Sequence, residues 1–357
     1  MSDIEKIIND AWENKDQVNQ NSDKSLKDTI NQIIDDLDIY GNSKFGKKYL
    51  RWMTTPKKIQ NIIDEFKPDL ILTERVSHFS SLITKMNIPL IIFLRGNYWH
   101  EIKLGKQTLD KSKIKQFELS AKEKIAHKCF SESAMILPIC KHLEKITKEK
   151  YPENKIQVFY QGINEEDWFP EKGNRELKHP AIGFIQNANV WDKCKELLIL
   201  PKILDSLPKV NFYLAGDGPF MEKILPSLEK YDNFHWLGSL EYPNKVREFL
   251  TEIDVYGLLS GMDMSPHTIL EASIMKKPVL ATNVGGIPES IQNEKTGYLI
   301  EEGNYDEWIK RINELIQDKE KINRMGINGH DFIIKNFLWG KIANEFLEII
   351  KKNNLYF

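Results

Sequence analysis

The sequence is poor in cysteine and has no long apolar run. Its 357 residues include three cysteines, Cys129, Cys140 and Cys194, and no C-x-x-C pair. An odd and sparse set argues against a disulfide framework or a zinc site, and it is typical of a reducing compartment. No stretch of 18 apolar residues is present, so no membrane-spanning helix is predicted. The acidic, amphipathic start, MSDIEKIINDAWENKDQ, does not fit a signal peptide, and we expect a cytoplasmic protein.

An excess of charge of one sign is also missing. The 50 basic and 52 acidic residues give a net charge of −2, which provides no overall field for nucleic acid, and we expect no nucleic-acid partner. Apolar residues at 41%, charged residues at 29%, 19 Gly and 15 Pro exclude disordered, collagen-like and coiled-coil architectures for most of the chain. The length predicts about two domains.

The pattern of apolar residues changes near Pro68. Residues 1–66 show helical spacing, whereas the rest alternates short, wholly apolar runs with helical segments, which indicates parallel strands covered by helices. The polar stretch Glu171–His179 is the predicted linker between two such series. The runs are 69–74, 89–95, 134–139 and 155–161 before the linker, and 181–186, 210–216, 234–238, 253–260, 278–283 and 297–300 after it.

Two successive β/α series predict an α/β protein with two Rossmann-like domains facing a cleft. We place the first domain at residues 1–172 and the second domain at residues 173–338. The last helix, roughly residues 339–352 within the segment 339–357, is expected to pack back on the first domain.

Residues that follow the strands are the first candidates for a site, because ligands of open α/β sheets bind beyond the carboxyl ends of the strands. Strand 210–216 runs into Gly216-Asp217-Gly218-Pro219, where two glycines let backbone approach a ligand. A tight connection between strand and helix explains the same residues equally well.

The loop after strand 253–260 carries Asp263 and Pro266, and a helix is predicted from about His267. A helix start at this edge presents free N–H groups to a phosphate. Glu271, one turn into the helix, is placed to accept hydrogen bonds from sugar hydroxyls. The alternative is that Asp263 caps the helix and Glu271 interacts favourably with its dipole.

Together these segments resemble a known family. The order G-D-G-P at 216–219, Asp263-x7-Glu271, PVLATNVGGIPE at 278–289 and TGYLI at 296–300 resembles the carboxyl-terminal domain of GT-B retaining glycosyltransferases of family four, the glycosyl transferases group 1. The likeness covers roughly residues 68–350, and YQGIN at 160–164 is similar to the family's NG(V/I) segment. The resemblance implies a nucleotide-diphosphate sugar on the second domain and an acceptor entering from the first, with no metal or other cofactor required.

The resemblance also implies roles for individual residues. Glu271 matches the glutamate that holds the donor's ribose hydroxyls, and Asp263 stands at the acid beside the donor sugar, where the family has glutamate followed by glycine rather than Met264. Lys193 matches the lysine that neutralises the diphosphate, but the arginine that usually accompanies it is missing. The further donor-binding residues that we predict are Asn187, Gly216, Gly218, Pro266, His267 and Thr268.

Arginine is scarce, since only seven of the 50 basic residues are arginines. Arg75 and Arg95, each at the carboxyl end of a strand, are the candidates to replace the missing cation. Arg95 also stands where many family members place a histidine near the sugar, and we predict a catalytic role for it with Asp263 and Lys193. His78, His100 and His267 are candidate proton carriers, although scattered histidines are more often structural.

The amino-terminal part departs most from the family. Family members open with a strand and a glycine-rich loop, whereas residues 1–66 read as a reduced or rearranged, largely helical segment. The basic and aromatic stretch from Lys44 to Lys58 predicts peripheral contact with an anionic membrane surface; a helix with its aromatic side in the core is the alternative.

We therefore expect a retaining glycosyltransferase that moves a sugar from a nucleotide donor to a hydroxyl of a glycan, a lipid-linked or a small-molecule acceptor. A non-catalytic binding module for sugar nucleotides or glycans, and a nucleotide-sugar epimerase or hydrolase, are the alternatives, because the architecture does not fix the chemistry.

Overall fold

The computed structural model describes residues 57–74, 76–108, 113–173 and 176–355. By its internal contacts the chain divides into two compact units, residues 1–68 and 69–357. The first unit contains a helix over residues 57–66 (α1). The second unit contains both β-sheets. Within the described ranges no helix is both long and apolar enough to cross a bilayer.

The first sheet has three parallel strands in the order β1–β2–β3. Its central strand β2 is buried along its whole length, whereas the edge strand β1 is partly exposed. The strands are β1 (Ile71–Thr73), β2 (Leu90–Leu94) and β3 (Met135–Pro138), and the helices of this part are α2 (His78–Ile83), α3 (Tyr98–Thr108), α4 (Lys113–Glu132) and α5 (Lys141–Lys150).

The second sheet has six parallel strands in the order β6–β5–β4–β7–β8–β9. Its strands are β4 (Ala181–Ile185), β5 (Asn211–Ala215), β6 (Phe234–Gly238), β7 (Val255–Leu258), β8 (Val279–Thr282) and β9 (Gly297–Ile300). Its helices are α6 (Trp191–Cys194), α7 (Leu200–Ser206), α8 (Met221–Ile224), α9 (Asn244–Glu252), α10 (His267–Ile274), α11 (Tyr305–Gln317), α12 (Lys319–Phe337) and α13 (Trp339–Lys352). Short 3-10 turns occupy Glu165–Asp167, Lys195–Ile199, Leu225–Ser227 and Ile287–Glu289.

Alternate residues of the second sheet's strands face two different cores. On β5, Phe212 and Leu214 join one cluster with Trp308, while Tyr213 and Ala215 join the other. Helices cover both faces, so strands buried on both sides read as continuous apolar runs in the sequence. The sheet is thereby a rigid support for the loops that follow its strands.

The segment after β3 joins the first sheet to the rest of the second unit. It follows the edge of β3 through hydrogen bonds from Gln157 and Phe159 but forms a single bridge, at Ile156. The predicted strand at 155–161 is therefore wrong: the chain follows β3 as far as Phe159, but Pro138 has no N–H to donate in return, and only the one bridge forms. At the end of this segment, Ile163 exchanges backbone hydrogen bonds with Phe337 and Trp339, and Phe159 contacts Phe346 of α13.

The other predicted strands are present, each shortened by at most a few residues, and α13 covers the predicted Trp339–Lys352. The linker at 171–179 contains no helix or strand in its described residues. The domain boundary near residue 172 stays a prediction. Residues 1–56, with the amino-terminal segment and most of the basic stretch from Lys44, lie outside the described residues; Lys57 and Lys58 belong to α1.

Candidate functional site

The strand order of the second sheet reverses between β4 and β7. Chain connections leave these two neighbouring strands in opposite directions, so the loops at their carboxyl ends diverge and leave a crevice. The β4 loop leads to Lys193, and the β7 loop carries Asp263 and leads into α10. Lys193 and Asp263, both predicted from the sequence, therefore lie at the topological switch point.

Lys193 and Asp263 face each other across this crevice. The Lys193 Nζ atom donates to Asp263 Oδ2 at 3.2 Å, and the aspartate is the less exposed partner. The start of α10 has Pro266 as its flanking residue and no capping side chain. The alternative interpretation of Asp263 as a helix cap is therefore wrong, since its carboxylate pairs with the lysine.

The loop carrying Asp263 is held by the glycines that follow β8. A Cβ atom on Gly285, whose φ is +57°, would lie 1.9 Å from the Asp263 carbonyl oxygen, and one on Gly286 would lie 1.8 Å from the carbonyl oxygen of Met264. The Gly286 N–H donates to that Asp263 oxygen at 2.9 Å. Only glycine permits this approach of two backbones, so the GG pair positions the acid.

Glu271 is almost completely buried, with 3% of its surface exposed. Burial raises the pKa of Glu271 to about 7, and a hydrogen bond from the Tyr242 hydroxyl opposes this increase. Tyr242 itself is 64% exposed, although desolvation of its hydroxyl and the neighbouring Glu271 raise the Tyr242 pKa to about 12. The carboxyl group is thus sequestered behind a phenol ring that remains largely open to solvent.

The glycines after β5 bring two loops together. A Cβ atom on Gly216, whose φ is +128°, would lie 2.0 Å from the Gln186 carbonyl oxygen, and one on Gly218 would lie 2.6 Å from the carbonyl carbon of Ala188. The Gly216 N–H already donates to Gly238, and the Gly218 N–H to the Asp217 carboxylate. These glycines therefore allow the two loops to pack closely, which agrees with the interpretation of this segment as a tight connection between strand and helix.

The remaining predicted donor residues lie around the same edge. The Asn187 side chain accepts from the backbone N–H of Asn189 and so shapes the β4 loop. Thr268 hydrogen-bonds to the buried Tyr256 hydroxyl beneath α10. His267 begins α10, and its pKa is lowered by burial and by the positive charge of Arg95.

Arg95 follows β2 and reaches toward the α10 loop through another side chain. Its Nη1 pairs with Glu74 Oε2 at 3.1 Å, and its Nη2 donates to Gln161 Oε1 at 3.2 Å. Gln161 Nε2 in turn donates to the Ser265 carbonyl oxygen and hydroxyl. The first sheet is thus connected by side chains to the residue before Pro266.

Glu101 of α3, beside the first sheet, also approaches Lys193. Burial raises the pKa of Glu101 in α3, and the positive charges of Lys193 and His100 oppose that increase. His100 Nε2 lies 2.9 Å from Asp192 Oδ2, next to Lys193 in the sequence. One lysine is therefore surrounded by Asp263 and Glu101, with the His100–Asp192 pair beside it.

Comparison with known proteins identifies the region that carries this site. Residues 166–332 match the sequence profile of the family described as glycosyl transferases group 1. This range contains Lys193, Asp263, Glu271 and both glycine pairs, so the resemblance recognised from the motifs is confirmed.

Curated relatives are about a quarter identical to this chain over the aligned residues. It is 26% identical to spore coat protein SA of Bacillus subtilis over 70% of this chain and 75% of that protein. It is also 26% identical to N-acetyl-alpha-D-glucosaminyl L-malate synthase of Bacillus anthracis, over 60% of this chain but only 58% of that protein.

Solved structures establish the fold of this chain as GT-B. Sucrose-phosphate synthase from Thermosynechococcus elongatus superposes with a TM-score of 0.70 over 87% of this chain and 80% of that one, at 14% identity. Anabaena HepE in complex with UDP superposes with a TM-score of 0.65 over 82% of each chain, at 16% identity. The predicted fold, with two Rossmann-like halves, is confirmed.

Several contacts of this group 1 site were not predicted from the sequence. They join segments that are distant in the chain: Tyr242 contacts Glu271, Gln161 contacts Ser265, and Glu101 lies near Lys193. The one sequence signal for any of these contacts was the YQGIN segment at 160–164, which contains Gln161. Arg75 and the side chain of His78 lie outside the described residues. No group of three or more potential metal ligands occurs in the described part of the chain.

Proposed function

We propose that this group 1 chain is a retaining glycosyltransferase whose nucleotide-diphosphate donor binds at the β4–β7 switch point. The observation that carries the proposal is the buried Glu271 carboxyl one turn into α10, the helix that follows the loop in which Asp263 pairs with Lys193. A carboxylate there can accept two hydrogen bonds from the vicinal hydroxyls of a ribose. The Tyr242 hydroxyl, which now hydrogen-bonds to Glu271, has the same donor chemistry as those hydroxyls.

Charge on the leaving diphosphate would be met by Lys193 and by the start of α10. The helix begins at His267 without a side-chain cap, so the positive end of its dipole is available to an anion. The N–H groups of Gly216 and Gly218 already donate to other acceptors, so we assign them no part in binding the diphosphate. Lys193 would exchange Asp263 for the diphosphate, which would leave the Asp263 carboxylate free to bind a sugar hydroxyl.

The reaction then proceeds on one face of the sugar. The bond between the anomeric carbon and the diphosphate oxygen breaks, and a bond from the acceptor oxygen to the same carbon forms on the same side. The acceptor proton passes to the leaving phosphate oxygen. Positive charge on the sugar develops beside Asp263, and negative charge develops beside Lys193, which is the electrostatic complementarity that lowers the barrier.

Donor binding provides the first test. UDP, GDP, ADP and their common sugar conjugates are compared by thermal shift, with UDP first because the HepE structure contains it. A ligand at a hundred times its Kd adds about 2.7 kcal/mol of stability. Glu271→Gln is expected to weaken nucleotide binding by about 1–3 kcal/mol, because a charged hydrogen-bond acceptor is lost. Glu314→Gln, an ion-paired carboxylate on α11, is the control and should retain the wild-type affinity.

Product analysis separates the alternatives. Release of nucleotide that requires an acceptor, with the anomeric configuration kept, supports the proposal. Release without any acceptor indicates a hydrolase, and binding without release indicates a binding module. EDTA is expected to leave transfer unchanged, because Lys193 and α10 supply the positive charge in this proposal.

A further inference from the structure

Gln161 is a buried side chain that connects the two halves of the described fold. It is 3% exposed, yet it lies between the arginine that follows β2 and the loop that precedes α10. Its Oε1 accepts from Arg95 Nη2 at 3.2 Å, and its Nε2 donates to the Ser265 carbonyl oxygen at 2.5 Å and to the Ser265 hydroxyl at 3.1 Å. Both ends of one amide are thus engaged by different parts of the chain.

The partners fix the orientation of this amide. A guanidinium can only donate hydrogen bonds, and a carbonyl oxygen can only accept them, so Oε1 must face Arg95 and Nε2 must face Ser265. Glutamate would satisfy Arg95 but place a negative oxygen against the Ser265 carbonyl. Methionine has a similar length and satisfies neither partner. A glutamine side chain meets both demands at this distance.

The location of Ser265 gives this contact a functional consequence. Ser265 lies two residues after Asp263 and two residues before His267, at the start of the helix proposed to receive the diphosphate. On the other side, Arg95 also forms an ion pair with Glu74, which directly follows β1. Burial and the positive charge of Arg95 lower the pKa of His267. Arg95 and the loop before α10 are therefore joined through one side chain.

We propose that Gln161 is a positioning residue that couples Arg95 on the acceptor side to the nucleotide-binding loop at Ser265. Its effect on the nucleotide passes through Ser265, the residue to which its amide donates. The inference rests on the proposed nucleotide site, and it adds that the occupancy of the acceptor side influences donor affinity through this one amide. Coupling of this kind is reciprocal, so a bound nucleotide also restrains Arg95.

The test uses Gln161→Met and Gln161→Glu in the full chain, with Gln157→Met as the matched control. Gln157 lies four residues earlier on the same segment and is partly buried. Hydrogen–deuterium exchange of the peptides covering residues 261–271 is measured without ligand. Affinity for UDP, GDP and ADP is measured by calorimetry at a temperature well below each variant's Tm.

Both Gln161 variants are expected to exchange faster at the start of α10 and to bind the nucleotide about tenfold more weakly, while the control keeps both properties. Arg95→Lys combined with Gln161→Met is expected to weaken binding no more than the stronger single variant, because both changes break one connection. A lower Tm with unchanged exchange and unchanged nucleotide affinity would mean that Gln161 is merely structural and would overturn the proposal.

Failure of the proposed function has a different signature. If the wild-type protein binds none of the nucleotides, the proposed donor site is wrong. The exchange measurement still decides whether Gln161 controls the α10 loop: faster exchange in its two variants supports the coupling, and unchanged exchange contradicts it.

Discussion

Glu271 illustrates how the fold alters the chemistry of one residue. The sequence places a glutamate one turn into a helix, where a solvent-exposed carboxyl would be charged throughout the neutral range. In the folded protein the group is buried under Tyr242, and its pKa rises to about 7. Its charge therefore changes near neutral pH, and the protein's stability must change with it.

The first prediction concerns this linkage. The unfolded chain releases the Glu271 proton near pH 4.5, whereas the folded protein keeps it until about pH 7. The free energy of unfolding should therefore fall as the pH rises from 4.5 to 7, by up to about 3 kcal/mol from this group. Urea unfolding of the wild type and of Glu271→Gln at pH 4.5 to 8 measures the difference.

The variant carries no titrating group at this position, so its stability should lack this part of the slope. Glu101 and Glu196 also have pKa values raised by burial, but both remain in the variant and cancel in the comparison. A difference between the two proteins that is constant across the pH range would contradict the raised pKa of Glu271.

The limits of sequence reasoning at the residue scale are visible at Arg95 and Tyr242. Motif spacing singled out Lys193 and Asp263, which form an ion pair beyond the carboxyl ends of β4 and β7, because the carboxyl ends of parallel strands share an edge. It could not show that Arg95 engages Glu74 and Gln161, or that Tyr242 covers Glu271. These contacts join segments far apart in sequence, and no local periodicity records them.

Local patterns were most informative for whole elements buried on both faces. Runs such as 181–186 and 278–283 became β4 and β8, which lie inside the sheet with helices on both faces and are almost wholly buried. The run 155–161 contains Ile156, Val158 and Phe159 and still did not form a strand, since it lies along the edge of β3 and then turns toward α13. Apolar character alone does not distinguish a strand from a buried connection.

The second prediction compares two glycines in different elements. A Cβ atom at Gly286 would lie 1.8 Å from the Met264 carbonyl oxygen and 2.7 Å from Cys140 Cβ, whereas one at Gly340 in α13 meets nothing within 4 Å. Gly286→Ala is expected to destabilise the protein by about 1–3 kcal/mol and to weaken nucleotide binding, because the Asp263 loop must move. Gly340→Ala should stabilise it by about 0.5–1 kcal/mol. Urea unfolding and calorimetry provide the measurements, and an equal effect of the two changes would contradict the packing argument.

At the scale of the whole second unit, adjacent residues of one segment make separate connections between the two sheets. Gln161 engages Ser265, and Tyr160 donates its hydroxyl to Glu289 Oε2 at 2.8 Å. Glu289 follows β8, and its carboxylate also accepts from the backbone N–H groups of Lys141 and His142 at the start of α5. Burial and the neighbouring Glu289 raise the pKa of Tyr160, so the phenol stays neutral and continues to donate.

The third prediction measures the strength of this connection. Tyr160→Phe removes one hydrogen bond to a partly buried carboxylate and should destabilise the protein by about 1.5–3 kcal/mol. Tyr231→Phe is the matched control, because its hydroxyl donates to the Asp205 carboxylate at 3.0 Å in an exposed position and should cost about 0.5 kcal/mol or less. A double-mutant cycle with Glu289→Gln isolates the Tyr160 contact from the bonds that Glu289 makes to α5.

The cycle gives the strength of the Tyr160–Glu289 contact, and amide exchange in the Glu289→Gln variant distinguishes a connection between sheets from a local contact. Because Glu289 holds both Tyr160 and the start of α5, weakening it should also accelerate amide exchange in Lys141–Lys150, a helix that belongs with the first sheet. Faster exchange in α5 after a substitution beside β8 would mean that the two sheets stabilise each other through this carboxylate. Exchange confined to residues around Glu289 would instead show that each sheet is stable by its own packing, with Tyr160 contributing only at its own position.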